Sequence, residues 1–336
     1  MCLKEIAISH SSSPFGNEMV RFAAIAALEP AAPWTPLLCP PITTCSPDVV
    51  PIAAQGQSPS SPLPPPPPPP GLFDFDEFDF HAAPLSSVYA PLTAGAVYVV
   101  VVLCLNYYMG KVRGGKGVET KMLQAVHNMI LCVGSLIMFV GTLRELVLRV
   151  LQEAVAPPAE AGALGGMYFF FCEAAKTEPR GALFFWSYIY YLSKYYELLD
   201  TVLQLLKGRP PPHFFLHVYH HAVVLVMAWA WLEYVQTLQF GGLLFNTAVH
   251  VVMYYYYFRR VLNLPVPWKR LVTQFQIIQF GTSAACYFVT LYLLATGAEC
   301  RGSRALVGNF VFNMTLLYQF FGVLGGGEGE KKKKAK

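Results

Sequence analysis

Three histidines interrupt an apolar run that is long enough to cross a lipid bilayer. The stretch FLHVYHHAVVLVMAWAWL (215–232) contains His217, His220 and His221 at spacing i, i+3 and i+4, which predicts one shared helix face. Ionisable groups inside a membrane are costly to bury, so their presence there indicates a function. Metal coordination, acid–base catalysis, nucleophilic attack and hydrogen bonding between helices are the roles open to them.

Three further apolar runs carry polar stripes at helical spacing. In KYYELLDT, Lys194, Glu197 and Thr201 share a helix face, and Asp200 lies on its edge. The other two stripes lie in NTAVHVVMYYYY and TQFQIIQF, and their members are Asn246, His250, Met253, Tyr254, Tyr257, Thr273, Gln276 and Gln279. Taken singly, each stripe also fits a structural ion pair, hydrogen bonds between helices or an aromatic belt.

The composition predicts that these stripes are held by membrane-spanning helices. Only 13% of the residues are charged and mean hydropathy is +0.42, whereas a soluble domain carries roughly 25% charged residues. A hydrocarbon core about 30 Å thick needs roughly 20 helical residues. Seven apolar runs approach that length, near 89–109, 122–143, 182–206, 214–232, 236–257, 271–296 and 305–324. The sequence therefore predicts an all-α membrane protein with about seven transmembrane helices.

The basic residues predict the orientation of these spans. The first, third and fifth loops and the tail hold 15 Lys and Arg residues, while the other three loops hold six. By the positive-inside rule the first group is cytosolic, which places the C-terminus in the cytosol and the N-terminal extension in the lumen. The ending KKKKAK, with Lys333 and Lys334, resembles a dilysine retrieval signal of the endoplasmic reticulum. A solvated charge run beside anionic lipid is the alternative.

With this orientation, all four stripes fall in the cytosolic half of the bilayer. Independent structural polar groups have no reason to coincide in depth, so a single shared site explains them best. We expect that site to open to the cytosol and to close towards the lumen. The apolar residues around it would suit a long hydrocarbon tail.

The chain divides into three parts by composition. Residues 1–84 are rich in Pro and Ser and contain a proline run at 64–70, which predicts a disordered extension. A signal or transit peptide within it is the alternative. Residues 85–324 form the membrane domain, and 325–336 are a Gly/Lys-rich tail. A disulfide between Cys172 and Cys300 requires both to be lumenal, and nothing in the sequence demands it.

Several chemistries compete for the histidine cluster. A membrane di-iron oxygenase needs about eight histidines in three boxes, and two of the eight here, His10 and His81, lie in the extension. A single-metal site built from His217, His221 and His250 stays open. A transporter is disfavoured because its path should be polar across the whole depth, and little internal repetition is evident.

Acyl chemistry without a metal fits better, because a neutral imidazole is both a base and a nucleophile. Lys194 and the glutamines could stabilise developing negative charge. A cysteine nucleophile is disfavoured, since no cysteine lies on the four stripes.

The four stripes together carry a family resemblance. KYYELLDT fits KxxExxDT, HVYHH fits HxxHH, HVVMYYYY fits HxxMYxYY and TQFQIIQ fits TxxQxxQ. In this order, with the dilysine ending, they resemble the ELO family of fatty-acid elongases over residues 85–324. The resemblance implies seven helices, six of them around an acyl tunnel closed at the lumenal end. The proline-rich extension departs from the usual plan of that family.

The resemblance also implies a reaction. Family members are 3-oxoacyl-CoA synthases that condense a long-chain acyl-CoA with malonyl-CoA, releasing carbon dioxide and CoA in the endoplasmic reticulum membrane. A histidine of HxxHH takes the acyl group as an acyl-imidazole, which maps to His220, with His250 as its partner on the facing helix. Acyl-chain length and unsaturation stay open, although HVYHH leans towards the saturated or monounsaturated group.

The remaining site residues are given supporting roles by hypothesis. His217 and His221 orient the site, Asn246, Gln276 and Lys194 give polar support, and Asp200 and Glu197 set protonation states. Substrate binding is assigned to Tyr254, Tyr257, Thr273 and Gln279, and to Lys207, Arg209, Lys269 and Arg270, which could pair with CoA phosphates or be ordinary cytosolic charges. No metal and no cofactor is expected. The expected partners are the two CoA substrates, membrane lipid and the other elongation-cycle enzymes. A homodimer is compatible with the sequence. No nucleic-acid partner is expected.

Overall fold

The computed structural model describes residues 75–334, with side chains up to 322, and most of this part is helical. Two isolated β-bridges, Asp79 with Arg180 and Ala174 with Cys300, are the only strand-like pairings in it. The helices are α1 (Tyr89–Tyr107), α2 (Lys121–Val155), α3 (Tyr168–Phe171), α4 (Ala182–Glu197), α5 (Leu199–Leu206), α6 (Phe214–Glu233), α7 (Gln239–Val261), α8 (Lys269–Ala295) and α9 (Ser303–Lys334).

Four of these helices are long and apolar enough to cross a bilayer. They are α1 with its π-helical extension to Val112, α2, α6 and α8. The prediction of an all-α, multi-pass membrane protein is confirmed. The other three expected spans correspond to the α4–α5 pair, α7 and α9. The count of seven spans and the acyl tunnel stay predictions.

The third expected span is divided at Leu198, between α4 and α5. The Leu198 amide bonds to the Tyr195 carbonyl (3.3 Å), which is a tighter turn than the i to i−4 pattern of an α-helix. This division falls between Glu197 and Asp200. The Glu197 carboxylate contacts Lys194 and His250, whereas the Asp200 carboxylate contacts His127 and Tyr254.

Helix packing brings three of the four motifs together. α2 packs along α7, α1 along α6, and α8 along α9, while α4 contacts both α6 and α7. Buried apolar residues of α4, α6 and α7, among them Tyr191, Leu232 and Phe240, form the largest hydrophobic cluster of the described residues. KYYELLDT, HVYHH and HVVMYYYY therefore come from three helices that meet in the core.

Residues 75–84 differ from the expectation that the whole of 1–84 is disordered. The short 3-10 helices Phe75–Glu77 and Phe80–Ala82 pack on α4, where Phe80 is fully buried and the Phe75 ring stacks on Phe185 at 4.1 Å. Asp79 pairs with Arg180 (3.0 Å). Within the described part of FDFDEFDF, Phe75, Phe78 and Phe80 supply apolar area that packs against α4. The proline run and the rest of the extension lie outside the described residues.

The segment between α2 and α4 covers one end of the bundle, where α6 ends and α7 begins. We call residues 159–181 the cap. The cap is joined to the start of α9 by a disulfide between Cys172 and Cys300. The Thr290 hydroxyl of α8 donates to the Phe171 carbonyl (2.7 Å). The pairing that the sequence left undecided is thus present, and it fixes the cap to α9.

A buried ion pair ties the cap to α2. Both terminal nitrogens of Arg149 donate to the Glu173 carboxylate (2.8 and 2.6 Å), and Glu173 is only 1% exposed. The same guanidinium lies 4.0 Å above the Phe169 ring. A carboxylate buried this deeply depends on such partners, because its desolvation is not otherwise compensated.

Replacing Arg149 with methionine is expected to lower the free energy of unfolding by about 3–5 kcal/mol, because Glu173 would stay buried without its charge partner. The matched control is Arg144→Met on the same helix. Arg144 is 69% exposed and pairs with Glu145 at the surface, so its loss should change stability by about 0.5 kcal/mol or less. Unfolding in detergent micelles measures both variants. If both variants lost the same free energy of unfolding, the Arg149–Glu173 pair would not stabilise the cap as described.

Candidate active site

A buried ion pair on α4 lies at the centre of the candidate site. Lys194 Nζ contacts Glu197 Oε1 at 2.7 Å, and each side chain is 1% exposed. Lys194 Nζ also donates to Asn246 Oδ1 on α7 (3.3 Å) and lies 4.0 Å from the centroid of the Tyr190 ring. The Tyr190 hydroxyl donates to the same Asn246 oxygen (2.9 Å). Asn246 therefore has its carbonyl oxygen occupied, and its amide N–H groups are left to donate elsewhere.

His250 joins this group from α7. Its Nδ1 lies 3.5 Å from Glu197 Oε1, and its ring meets the Tyr254 ring edge-on with centroids 5.2 Å apart. His250 is 6% exposed. Glu197 thus faces both a lysine and an imidazole, so the carboxylate can balance positive charge on either one.

The three histidines of α6 diverge. The His220 ring stacks on Phe312 of α9 (6.2 Å, planes 10° apart), whereas His221 faces Tyr98 of α1 (6.3 Å). The His217 ring lies 6.1 Å from that of His221. Consecutive residues of an α-helix point about 100° apart, at 3.6 residues per turn, so His220 and His221 cannot face the same space. The single face expected from the sequence therefore holds for His217 and His221 and not for His220.

His220 alone of the three lines an elongated cavity, which we call the His220 cavity. Asn246, Tyr190 and Gln279 lie on its wall together with largely apolar side chains, including Met227, Trp231, Phe245 and Leu316. Along α6 the lining extends from His220 to Trp231, which is roughly 16 Å at 1.5 Å per residue. A histidine at one end of a narrow apolar space can react with the head of a long apolar molecule whose tail fills the remainder.

Two aromatic rings, those of Phe170 and Trp231, line the end of the cavity away from His220. A Cβ atom on Gly241 would lie 2.6 Å from Phe170 Cζ, and one on Gly242 would lie 2.7 Å from Trp231 Cη2. The rings therefore pack directly on the α7 backbone, which only glycine permits. Phe170 belongs to the cap, so the disulfide and the Thr290 hydrogen bond hold the segment that lines this end.

Asp200 has partners that the sequence did not predict. Its Oδ1 contacts His127 Nε2 of α2 (2.8 Å), and its Oδ2 accepts from the Tyr254 hydroxyl (2.8 Å). Neighbouring Thr201 bonds instead to the Tyr98 hydroxyl (2.7 Å). His127, which is 3% exposed, was missed because it belongs to no motif. An ionisable residue inside the apolar run 122–143 was the available signal.

The residues assigned to substrate binding are scattered. Gln279 lines the His220 cavity, Thr273 is half-buried, and Tyr254 is buried with its hydroxyl bonded to Asp200. Gln276, which was assigned polar support, donates to the Met253 sulfur (3.5 Å). Lys207 is exposed and donates to Gln124 Oε1 (2.9 Å). The others are partly or largely exposed, namely Tyr257, Arg209, Lys269 and Arg270.

Within residues 75–322, no three His, Cys, Asp or Glu side chains converge as a metal-binding group. His217, His221 and His250 in particular do not form the three-ligand site considered from the sequence. The arrangement instead offers a cavity-facing imidazole, an amide donor, and a lysine–carboxylate–imidazole cluster. Such a set can perform nucleophilic acyl transfer with stabilisation of developing negative charge.

Breaking the central ion pair separates its structural and chemical roles. Lys194→Met should destabilise the fold by about 3–5 kcal/mol, because Glu197 would be a buried, unpaired charge. The double variant Lys194→Met with Glu197→Gln removes both charges, and we expect it to recover most of that stability. Activity should stay low in both, since both variants lack the Lys194 ammonium that the site uses. Both variants are tested by unfolding in detergent and by an activity assay on the same samples. If the double variant recovered activity along with stability, the two charges would have no chemical role.

Comparison with known proteins agrees with this architecture. A family profile described as the ELO: GNS1/SUR4 family matches residues 83–324. A Dictyostelium discoideum protein named as a candidate fatty acid elongase is 37% identical over 250 residues, covering 73% of this chain and 77% of its own. Fatty acid elongase sre1 of the same organism is 32% identical over 245 residues (71% and 84%). Long chain fatty acid elongase 1 of Caenorhabditis elegans is 37% identical over 126 residues (36% and 42%).

Proposed function

Because the chain belongs to the ELO (GNS1/SUR4) family, we propose that it acts in fatty-acid elongation as a 3-oxoacyl-CoA synthase. It condenses a long-chain acyl-CoA with malonyl-CoA and releases carbon dioxide and free CoA. The observation that carries the proposal is that His220, alone among the histidines of HxxHH, lines an elongated and largely apolar cavity. The names of the relatives support the elongation role.

The first half-reaction places the acyl group on His220. A ring nitrogen of His220 attacks the thioester carbonyl, the C–S bond breaks, and CoA leaves as the thiol with a proton. The acyl tail occupies the apolar cavity, which excludes water from the acyl-imidazole. The free amide N–H groups of Asn246 and the Lys194 ammonium stabilise the negative charge that develops on the carbonyl oxygen.

The second half-reaction forms the new carbon–carbon bond. The C–C bond to the malonyl carboxylate breaks and carbon dioxide leaves. The electron pair that remains on the α-carbon attacks the acyl carbon and the C–N bond to His220 breaks. His220 leaves as a neutral imidazole by taking up one proton from solvent, so the complete cycle consumes one proton. Glu197 contacts both Lys194 and His250. The carboxylate can therefore balance a positive charge on the His250 imidazole during this step.

The setting of the reaction is part of the proposal. The excess of Lys and Arg in three loops and the tail supports a cytosolic C-terminus and a site open to the cytosol. The resemblance to the elongases supports location in the endoplasmic reticulum membrane, beside the other enzymes of the elongation cycle. Lys207, Arg209, Lys269 and Arg270 are exposed and would meet the CoA phosphates at the cytosolic end.

The proposal is tested by expressing the full chain in microsomes that lack their own elongases. Labelled malonyl-CoA is supplied with a panel of acyl-CoAs, without added metal or reductant, and label is followed into 3-oxoacyl-CoA. Label in the 3-oxo product supports the condensing reaction and reports the preferred chain length. Correctly inserted protein that yields no product with any acyl-CoA would overturn it.

A further inference from the structure

A second buried polar cluster lies beside the candidate active site and has no role in the reaction described above. Asp200 at the start of α5 is bonded on one oxygen by His127 of α2 and on the other by Tyr254 of α7, each at 2.8 Å. His127 and Tyr254 are 3% and 1% exposed. The Asp200 carboxylate thus links α5 to α2 and α7, next to the boundary between α4 and α5.

The chemistry of the three groups fixes their hydrogen-bond directions. An ionised carboxylate only accepts hydrogen bonds, so the Nε2 of His127 must carry its proton and donate it. The Tyr254 hydroxyl donates to the other oxygen. The Nδ1 atom of His127 has no hydrogen-bond partner within residues 75–322. Within the described residues, the contact with Asp200 is therefore the only hydrogen bond that orients this imidazole. The ring also packs on that of Tyr196, with centroids 4.8 Å apart.

The cluster reaches the candidate active site through Tyr254. With its hydroxyl held by Asp200, the Tyr254 ring stands edge-on to His250, at an interplanar angle of 88°. His250 in turn contacts Glu197. If Asp200 loses its bond from His127, the carboxylate can rotate, and the Tyr254 ring that packs against His250 is no longer fixed.

We propose that His127 is a positioning residue: by donating to Asp200 it fixes Tyr254, and thereby the orientation of His250 in the active site. This inference rests on the proposed function, because it assigns His127 to the same reaction. His127 touches neither the His220 cavity nor any group placed at the reacting carbonyl, so its influence passes through Asp200 and Tyr254.

The test compares two replacements of His127 that separate its hydrogen-bond donor from its ring shape. His127→Gln keeps an N–H donor at a similar reach, whereas His127→Phe keeps the ring shape and loses the donor. We expect His127→Phe to lower kcat by about 10- to 100-fold, the size of effect that a small misplacement of a reacting group produces. KM for acyl-CoA should stay within about 2-fold. His127→Gln should retain more than half of the wild-type kcat.

A double-mutant cycle tests the route. In a Tyr254→Phe background, where the hydroxyl that Asp200 holds is gone, His127→Phe should cost only about 2- to 3-fold more, because coupled residues are not additive. Asn128→Ala is the matched control on α2. Asn128 is also buried but donates to the Gln124 carbonyl (2.7 Å), so its kcat should stay near that of the wild type.

The outcomes are distinguishable. Wild-type protein without condensing activity would overturn the proposed function, and this inference with it. An active wild type in which the Gln and Phe variants lose kcat equally, or in which the His127 and Tyr254 effects multiply, would overturn the inference alone. A fall in thermal stability that tracks kcat across all variants, Asn128→Ala included, would show a purely structural role and also overturn it.

Discussion

Replacing His220 with alanine is expected to lower the rate of 3-oxoacyl-CoA formation by about 10³-fold or more, because the enzyme loses the nucleophile that carries the acyl group. The protein should remain folded, since Nδ1 of His220 has no hydrogen-bond partner within the described residues and the ring stacks on Phe312. The rate is measured with labelled malonyl-CoA in microsomes, and thermal unfolding of the solubilised variant checks the fold.

The neighbouring histidine provides the comparison for this prediction. His221 is one residue along α6 but faces α1, with its ring 6.3 Å from that of Tyr98. His221→Gln should therefore cost about 10-fold or less, through its packing against the His220 ring at 5.3 Å. If His221→Gln proved as inactive as His220→Ala while both stayed folded, the assignment of the nucleophile to His220 would be wrong.

Changing the size of Phe170 is expected to change the length of acyl chain that the enzyme accepts. Phe170 lines the far end of the His220 cavity, where its ring packs on Gly241. Phe170→Ala removes the ring and extends the apolar space, so the preferred acyl-CoA should become longer, while Phe170→Trp should shorten it. A preference changed by about one or two methylene groups corresponds to roughly 10- to 200-fold in relative kcat/KM.

The measurement is kcat/KM across a series of saturated acyl-CoAs for the wild type and both variants. Phe169→Leu is the matched control, because Phe169 is the adjacent cap residue, is 2% exposed and packs on Arg149 rather than lining the cavity. The control should lose stability without changing the preferred chain length. Identical preferences in the wild type, Phe170→Ala and Phe170→Trp would show that the acyl tail does not reach Phe170.

The sequence alone predicted much of the fold because a membrane imposes simple rules on it. Runs of apolar residues must form helices in lipid, since every backbone polar group has to be satisfied internally. Charged residues in such runs must pair, and this rule identified Lys194 and Glu197, which do pair at 2.7 Å. The common depth of four polar stripes predicted that residues such as His220, Asn246 and Gln279 would share a site, and all three line one cavity.

What the sequence did not predict depends on contacts between helices. The partners of Asp200 could not be foreseen, because His127 and Tyr254 belong to two other helices and their contacts with Asp200 depend on how those helices pack. Phe170 was not singled out, since its importance comes from a disulfide and a hydrogen bond that fix the cap. Helix spacing could have shown that His220 and His221 diverge, but not which of the two faces the cavity. The packing of α9 on α6 determines which of the two histidines lines the cavity.

The central claim is that His220 carries the acyl group, and trapping that intermediate tests it most directly. Purified full-length protein is incubated with a long-chain acyl-CoA in the absence of malonyl-CoA, quenched, digested and examined by mass spectrometry. We predict one acyl group on the peptide that contains His220, release of an equal amount of CoA, and loss of the adduct when malonyl-CoA is added. An acyl group found on another residue, such as Cys286 in the same cavity, or release of CoA only when both substrates are present, would contradict the account.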